Sequence, residues 1–168
     1  HSFSETVYFD VIRKKTAALF AACTAAAAYS VGVSEEEVKL ARLLGEYIGI
    51  CFQIKDDIFD YFDSKEIGKP TGNDMLEGKL TLPVLYALNR ANDNQATEIA
   101  LKVKEGTATL AEIARLIAFT KENGGIEYAV RTMNAYKQKA FGLLASLPDS
   151  AICVALRSYL DYVVDREK

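Results

Sequence analysis

The stretch Phe52–Asp63, FQIKDDIFDYFD, places Asp56, Asp57, Asp60 and Asp63 within eight residues of an otherwise apolar run, with Lys55 as the one cation inside it. On a helix, like charges three and four residues apart repel. With Asp56 at zero on a wheel of about 100° per residue, Asp60 falls near 40°, Gln53 near 60°, Asp57 near 100° and Asp63 near −20°. Gly45 and Gly49 share that stripe, while Tyr47, Ile50, Cys51, Ile54, Ile58, Tyr61 and Phe62 lie on the other side. A solvated helix face usually mixes signs, and this one carries a single sign. The glycines cost up to about 1 kcal/mol each in helix propensity, and the expectation is that they clear space beside the carboxylates. A hard divalent ion resolves the repulsion. Mg²⁺ takes carboxylate oxygens, keeps several waters and completes its shell with substrate phosphates. The chemistry implied is metal-assisted handling of a phosphorylated ligand.

Phosphate also needs cationic donors. Lys15 lies in VIRKKTAALF, where a regular helix would surround it with Val11, Ile12, Leu19, Ala22 and Ala26. A lysine on an apolar face is costly unless an anion meets it, although its stem can also snorkel along apolar surface. Thr16 beside it offers a hydroxyl donor. Downstream, Gly68-Lys69-Pro70-Thr71-Gly72-Asn73-Asp74 sets a lysine between glycines, and Lys79 follows Gly78. Taken singly, these are ordinary loop lysines. Directly after an acidic helix, they look like clamps on a diphosphate. The G-x-x-x-x-G-K-[ST] phosphate loop is absent.

The elements that must position these residues are helices. Only 3 prolines and 10 glycines interrupt the 168-residue chain, and no segment alternates in the manner of a strand. Glu5–Tyr29 reads as one helix. Ser34 opens a capping box ahead of a long helix expected to run to about Asp63. Ser64–Gly78 reads as an ordered loop. Thr81 caps a helix with Pro83 in its first turn, and Thr109-Leu-Ala-Glu112 is a second capping box, with Gly124-Gly125 ending its helix. Helices over Ile126–Ala145 and Asp149–Arg166 follow. The reading is one all-α unit.

Composition bounds the function. Half the residues are apolar and the formal net charge is −3, which gives no electrostatic case for nucleic acid. Cys23, Cys51 and Cys153 sit in apolar runs without metal-ligand spacing, as expected of buried, reduced thiols in a cytoplasmic protein. The Ala-rich segment Thr16–Tyr29 is too short for a transmembrane span, and no signal peptide is visible. His1 is the only histidine, so histidine chemistry is not expected.

In four segments the sequence resembles the trans-prenyl (polyprenyl) diphosphate synthase family: Lys15-Thr16, FQIKDDIFD (Phe52–Asp60), GKPTGND (Gly68–Asp74) and EGKLTLP (Glu77–Pro83). The D-D-x-x-D matches the family's second aspartate-rich motif. The resemblance implies an isoprenoid-synthase helical bundle and Mg²⁺ as cofactor. Asp56 would be the main metal ligand, with Asp57 and Asp60 holding metal waters. Lys15, Thr16, Gln53, Lys69 and Lys79 would hold the allylic diphosphate, and Lys15, Asp56 and Lys69 would carry the catalysis. The substrates would be an allylic diphosphate and isopentenyl diphosphate, and the assembly a homodimer.

The family's first aspartate-rich motif has no counterpart here. Residues 1–168 are therefore expected to be the C-terminal part of a single synthase domain whose N-terminal half is absent, and to be inactive alone. Without that half, the apolar surroundings of Lys15, together with Phe52 and Phe59, should be uncovered. The competing readings are a non-catalytic partner subunit or helical interaction module of a heteromeric synthase and, with weaker resemblance, a terpene cyclase. Cyclases carry Asn or Asp, then Ser or Thr, then Glu in this region, and Asp56–Asp60 does not.

Overall fold

Buried positions recur along the N-terminal helical segment at Tyr8, Ile12, Ala17, Ala21 and Ala25. The step is four residues except between Ile12 and Ala17, where it is five. The computed structural model, which describes residues 3–62, 71–147 and 150–167, accounts for the extra residue with a π turn. Helix α1 (Glu5–Ile12) runs through π-helical Arg13–Ala17 into α2 (Ala18–Ser30), and the Ala18 amide reaches back to the Arg13 carbonyl. A π turn inserts one residue into a helix and so rotates every later side chain relative to the earlier ones. The single regular helix expected over Glu5–Tyr29 is corrected at its centre.

Helix α3 (Glu35–Phe59) starts as the sequence predicts. The Ser34 amide donates to Glu37 Oε2 at 2.9 Å while the Glu37 amide donates to Ser34 Oγ. The helix ends at Phe59, four residues short of Asp63, which lies outside the described residues. Phe62, expected on the buried side, is exposed accordingly. The segment expected to be loop contains a short helix, α4 (Asn73–Leu76).

Where one helix was expected after Thr81, two occur: α5 (Leu82–Ala91) and α6 (Asn94–Glu105). Asn92 turns left-handed between them, and the Asp93 side chain accepts from the Ala96 amide. Helix α7 (Leu110–Glu122) carries the full Thr109–Glu112 capping box. Helices α8 (Gly125–Ala145) and α9 (Ala151–Asp165) complete the order, the last capped by Ser150. Among the described residues there is no strand. None of the helices found there is long and apolar enough to cross a membrane.

The chain groups into two compact units, and α1, α3 and α8 each contribute to both. One unit holds residues up to Tyr8 and Asp56–Val130. In it α7 packs on α5 and α6 around Leu82, Val84, Val103, Ile113 and Leu116, and Tyr86 stacks on Tyr128 at 4.0 Å. The other unit holds Phe9–Lys55 and Arg131–Glu167. Its core is Leu44, Ile48, Ala140, Leu144, Cys153 and Leu160.

Cys51 and Cys153 are buried as expected, whereas Cys23 is exposed. The difference follows from the π turn, which directs Ala17, Ala21 and Ala25 inward and leaves Cys23 outside that stripe. Burial pushes the Cys51 thiol up to about 12, so it stays protonated and unreactive at neutral pH.

Candidate functional site

Lys15 and Thr16 lie inside the π turn. Lys15 is exposed, and so are its apolar neighbours Val11 and Leu19, at 53% and 67%. Of the apolar residues that a regular helix would set around Lys15, Val11 and Leu19 are therefore uncovered as expected, whereas Ile12 is buried. Phe52 is different. It is half-buried, with the Phe20 ring at 5.5 Å and the Arg166 guanidinium 4.3 Å over its face. Phe59 is half-buried too. Thr16 Oγ1 donates to Gln53 Oε1 at 2.8 Å, so two residues expected to share a diphosphate are joined to each other across the packing of α2 on α3.

That packing is close because of the two glycines. A Cβ at Gly45 would lie 2.5 Å from the Phe20 carbonyl oxygen and 2.8 Å from Ala21 Cα, and one at Gly49 would lie 2.6 Å from Ala17 Cα. Gly45 and Gly49 therefore admit the backbone of the neighbouring helix. They do not clear space beside the carboxylates, and that expectation is corrected. The Ala17-Ala21-Ala25 stripe, running from the end of the π turn into α2, is the matching small surface.

The three described aspartates of the motif have different surroundings. Asp56 is half-buried on α3. Asp57 is only 3% exposed, because its spacing of three and seven residues from Ile54 and Ile50 puts it on the buried stripe. There Tyr8 Oη donates to Asp57 Oδ2 at 2.6 Å. Burial first, and then the Asp57 charge, hold the Tyr8 hydroxyl well above the usual tyrosine range, so Tyr8 remains a donor at any physiological pH. The wheel places Asp57 at the edge of a solvated acidic face, and the structure turns it inward. Asp60 lies just beyond the helix end. Its Oδ1 accepts the Asn73 amide and its Oδ2 the Asp74 amide, both at 3.0 Å.

Among the described residues, no group of three or more acidic, cysteine or histidine side chains is arranged to hold a metal ion. Lys55, the local cation, is held below the ordinary lysine range by burial and by Arg166. Lys79 is exposed and ion-paired with Glu77, which raises its pKa. Lys69 and Asp63 lie outside the described residues.

Sequence reasoning missed Tyr8, although its spacing of four from Ile12 marks it as buried. A buried tyrosine needs a hydrogen-bond partner for its hydroxyl. Replacing Tyr8 with phenylalanine should keep the ring packing and take that donor away from the buried Asp57 carboxylate. The expected cost is about 1–3 kcal/mol, read as a lower urea midpoint at unchanged slope.

The described helices, with Asp56 and Asp57 at the end of α3, the longest of them, Asp60 just beyond it and Lys15-Thr16 in the π turn, fit the helical bundle of an isoprenoid synthase. The sequence model of the polyprenyl synthetase family matches residues 1–120, and the chain belongs to that family.

It is similar to heptaprenyl diphosphate synthase component 2 of Geobacillus stearothermophilus, 37% identical over 161 residues that cover 95% of this chain and 49% of the relative. Octaprenyl diphosphate synthase of Haemophilus influenzae is also 37% identical, with 97% and 50% covered. The crystal structure of a geranylgeranyl pyrophosphate synthase from Bacteroides thetaiotaomicron matches with a TM-score of 0.94 and 78% identity, covering 99% of this chain and 55% of that one. A polyprenyl synthase from Caulobacter crescentus, complexed with calcium and isoprenyl diphosphate, matches at 0.86 and 33% identity, with 97% and 50% covered. The chain spans about half the length of the relatives it matches.

Proposed function

We propose that the chain is the C-terminal part of a trans-prenyl diphosphate synthase. The whole enzyme would condense isopentenyl diphosphate with an allylic diphosphate to give a longer trans-polyprenyl diphosphate. The observation that carries the reading is the D-D-x-x-D segment at the end of α3 in a chain of this family. A relative with the same fold was solved with calcium and isoprenyl diphosphate, which supports a divalent metal, and the proposal makes it Mg²⁺.

The donor set fits that ion. Asp56 supplies a hard carboxylate oxygen from a half-buried position, and Mg²⁺ is usually bound through one or two carboxylates plus substrate phosphates. A preformed three-carboxylate cage is therefore not required. When bound, the metal would neutralise charge on the departing diphosphate. Lys15, Lys69 and Lys79 would hold the same diphosphate electrostatically. Thr16 and Gln53, already bonded to each other, would fix the K-T turn and present the amide of Gln53. Tyr8 would keep Asp57 in one orientation. The allylic carbon left electron-poor by ionisation is attacked by the double bond of isopentenyl diphosphate, and loss of a proton completes the longer chain. No strong base is needed, since the released diphosphate can take that proton.

A homodimer in the cytoplasm is the proposed setting, and thiols rather than disulfides at the buried Cys51 and Cys153 accord with that compartment. One observation favours a second assembly. A relative is named as component 2 of a heptaprenyl diphosphate synthase, so a heteromeric synthase is the other reading, and co-purification with a second, unlike subunit would support it.

The test is incorporation of labelled isopentenyl diphosphate. A full-length synthase carrying this chain should elongate an allylic primer with Mg²⁺ and stop with a chelator, and the 168-residue chain alone should incorporate none. Failure of the full-length protein with geranyl, farnesyl and geranylgeranyl primers would overturn the function. Activity of the chain alone would overturn the partial-domain reading.

A further inference from the structure

We propose that Asp60 acts as the positioning residue for the Lys79 loop, and that this, more than holding a metal water, is what the third aspartate of the motif contributes. The inference rests on the diphosphate-binding role proposed for Lys79.

Asp60 follows the last residue of α3, so its side chain is released from the helical wheel that governs Asp56. Both of its carboxylate oxygens are used by the chain that returns to it. Oδ1 accepts the Asn73 amide and Oδ2 the Asp74 amide, each at 3.0 Å, and the Asp60 carbonyl accepts the Gly72 amide at 2.9 Å. Three consecutive backbone donors thus converge on one residue.

The amides of Asn73 and Asp74 belong to the first turn of α4, where no intrahelical acceptor exists for them. The carboxylate supplies that acceptor as a charge-assisted partner. Gly72 makes the approach possible. It sits at φ 82°, and a Cβ there would lie 2.8 Å from Ile113 Cγ2 and 2.9 Å from Ile117 Cδ1, so the loop is pressed onto α7 on one side and tied to Asp60 on the other.

The link continues to the lysine. The Asp74 carbonyl accepts the Lys79 amide at 2.8 Å, and Gly78 turns left-handed immediately before it. Asp60, Asp74 and Lys79 are therefore connected by two successive hydrogen bonds, the first from the Asp74 amide to the Asp60 carboxylate and the second between backbone groups. Fixing Asp60 fixes where the Lys79 ammonium starts from. An ionised carboxylate accepts at about four lone-pair sites, and here one on each oxygen is used by an amide, an arrangement that needs no metal.

The experiment compares wild type with Asp60→Asn, Lys79→Ala and the double variant. Amide hydrogen exchange without metal is read first. Asp60→Asn puts an NH₂ group against one of the two amides, so exchange at Asn73 and Asp74 should speed up at least tenfold while α7 stays protected. Unchanged exchange there would overturn the proposal, and loss of protection throughout would show a general structural role and overturn it too. Binding of inorganic diphosphate with Mg²⁺ is read second, on the full-length protein. Both single variants should weaken it, the double variant no further than Lys79→Ala, and the Mg²⁺ concentration needed should not change. Multiplicative losses, or a raised Mg²⁺ requirement in Asp60→Asn, would return Asp60 to the metal. A wild type that binds no diphosphate but keeps the protected loop would sink the prenyltransferase reading and the positioning role with it, while leaving the clasp as a structural fact.

Discussion

Replacing Asp56 by alanine in a full-length synthase carrying this chain should lower kcat by roughly 10²–10³-fold, the range seen when one preorganised electrostatic contact to a developing charge is removed. The expectation follows from how the three described aspartates differ. Asp57 is buried against Tyr8, and Asp60 accepts the amides of Asn73 and Asp74, while Asp56, half-buried on the last full turn of α3, is the residue that the family resemblance makes the main metal ligand. The charge it would help to balance grows as the allylic diphosphate departs, so kcat and kcat/KM should fall together while KM for the primer moves little. Asp57→Ala should behave differently, with loss of a buried hydrogen-bonded carboxylate lowering the unfolding midpoint as well as the rate. Steady-state kinetics at saturating Mg²⁺, set beside a urea titration of each variant, separates the two. An Asp56→Ala enzyme within threefold of wild type would refute its role as the main ligand.

Much of this arrangement was legible from residue spacing, and its failures have physical causes. The Ser34 and Thr109 capping boxes appeared as expected because an N-cap motif depends only on four residues and their own backbone. The acidic helix was legible because its apolar side, Ile50, Cys51, Ile54 and Ile58, holds a regular helical period, and all four are buried. A regular wheel carried through Lys15 hides the π turn, although the five-residue step from Ile12 to Ala17 carries the signal. Charge alone groups Asp57 with the acidic stripe, whereas its spacing from Ile50 and Ile54 places it inside. The break between α5 and α6 is hard to read because Asn92-Asp93 lies within a helix-favouring context; a left-handed Asn followed by an Asp N-cap is the feature that marks it. The Asp60 clasp could not have been read from spacing at all. It depends on where a loop returns, and the sequence separation of 13 and 14 residues carries no local period.

Gly45 and Gly49 give the second large effect, and its sign opposes intuition from helix propensity. In an exposed helix interior, Gly→Ala stabilises by about 0.5–1 kcal/mol, because alanine loses less backbone entropy on folding. Gly142 in α8 is such a position, with nothing within 4 Å of where a methyl would sit, and Gly142→Ala should raise Tm by a few degrees. Gly49→Ala should do the reverse. Its methyl would lie 2.6 Å from Ala17 Cα and 3.0 Å from Ala17 Cβ, so the backbone of the π turn must move away, and side-chain rotation cannot relieve the contact. At Gly45 the Thr24 hydroxyl could rotate, but the Phe20 carbonyl oxygen at 2.5 Å could not. Forcing packed helices apart costs about 1–3 kcal/mol or more per site, which outweighs the propensity gain. The damage should reach the site. Thr16 sits on the turn that must move, and its 2.8 Å bond to Gln53 spans the widened gap. Gly49→Ala in the full-length enzyme should therefore weaken allylic diphosphate binding as well as lower Tm, while Gly142→Ala leaves binding unchanged. Thermal unfolding and diphosphate affinity of the two variants, measured side by side, decide the matter. A Gly49→Ala protein as stable as Gly142→Ala would mean that α2 and α3 are not in close backbone contact.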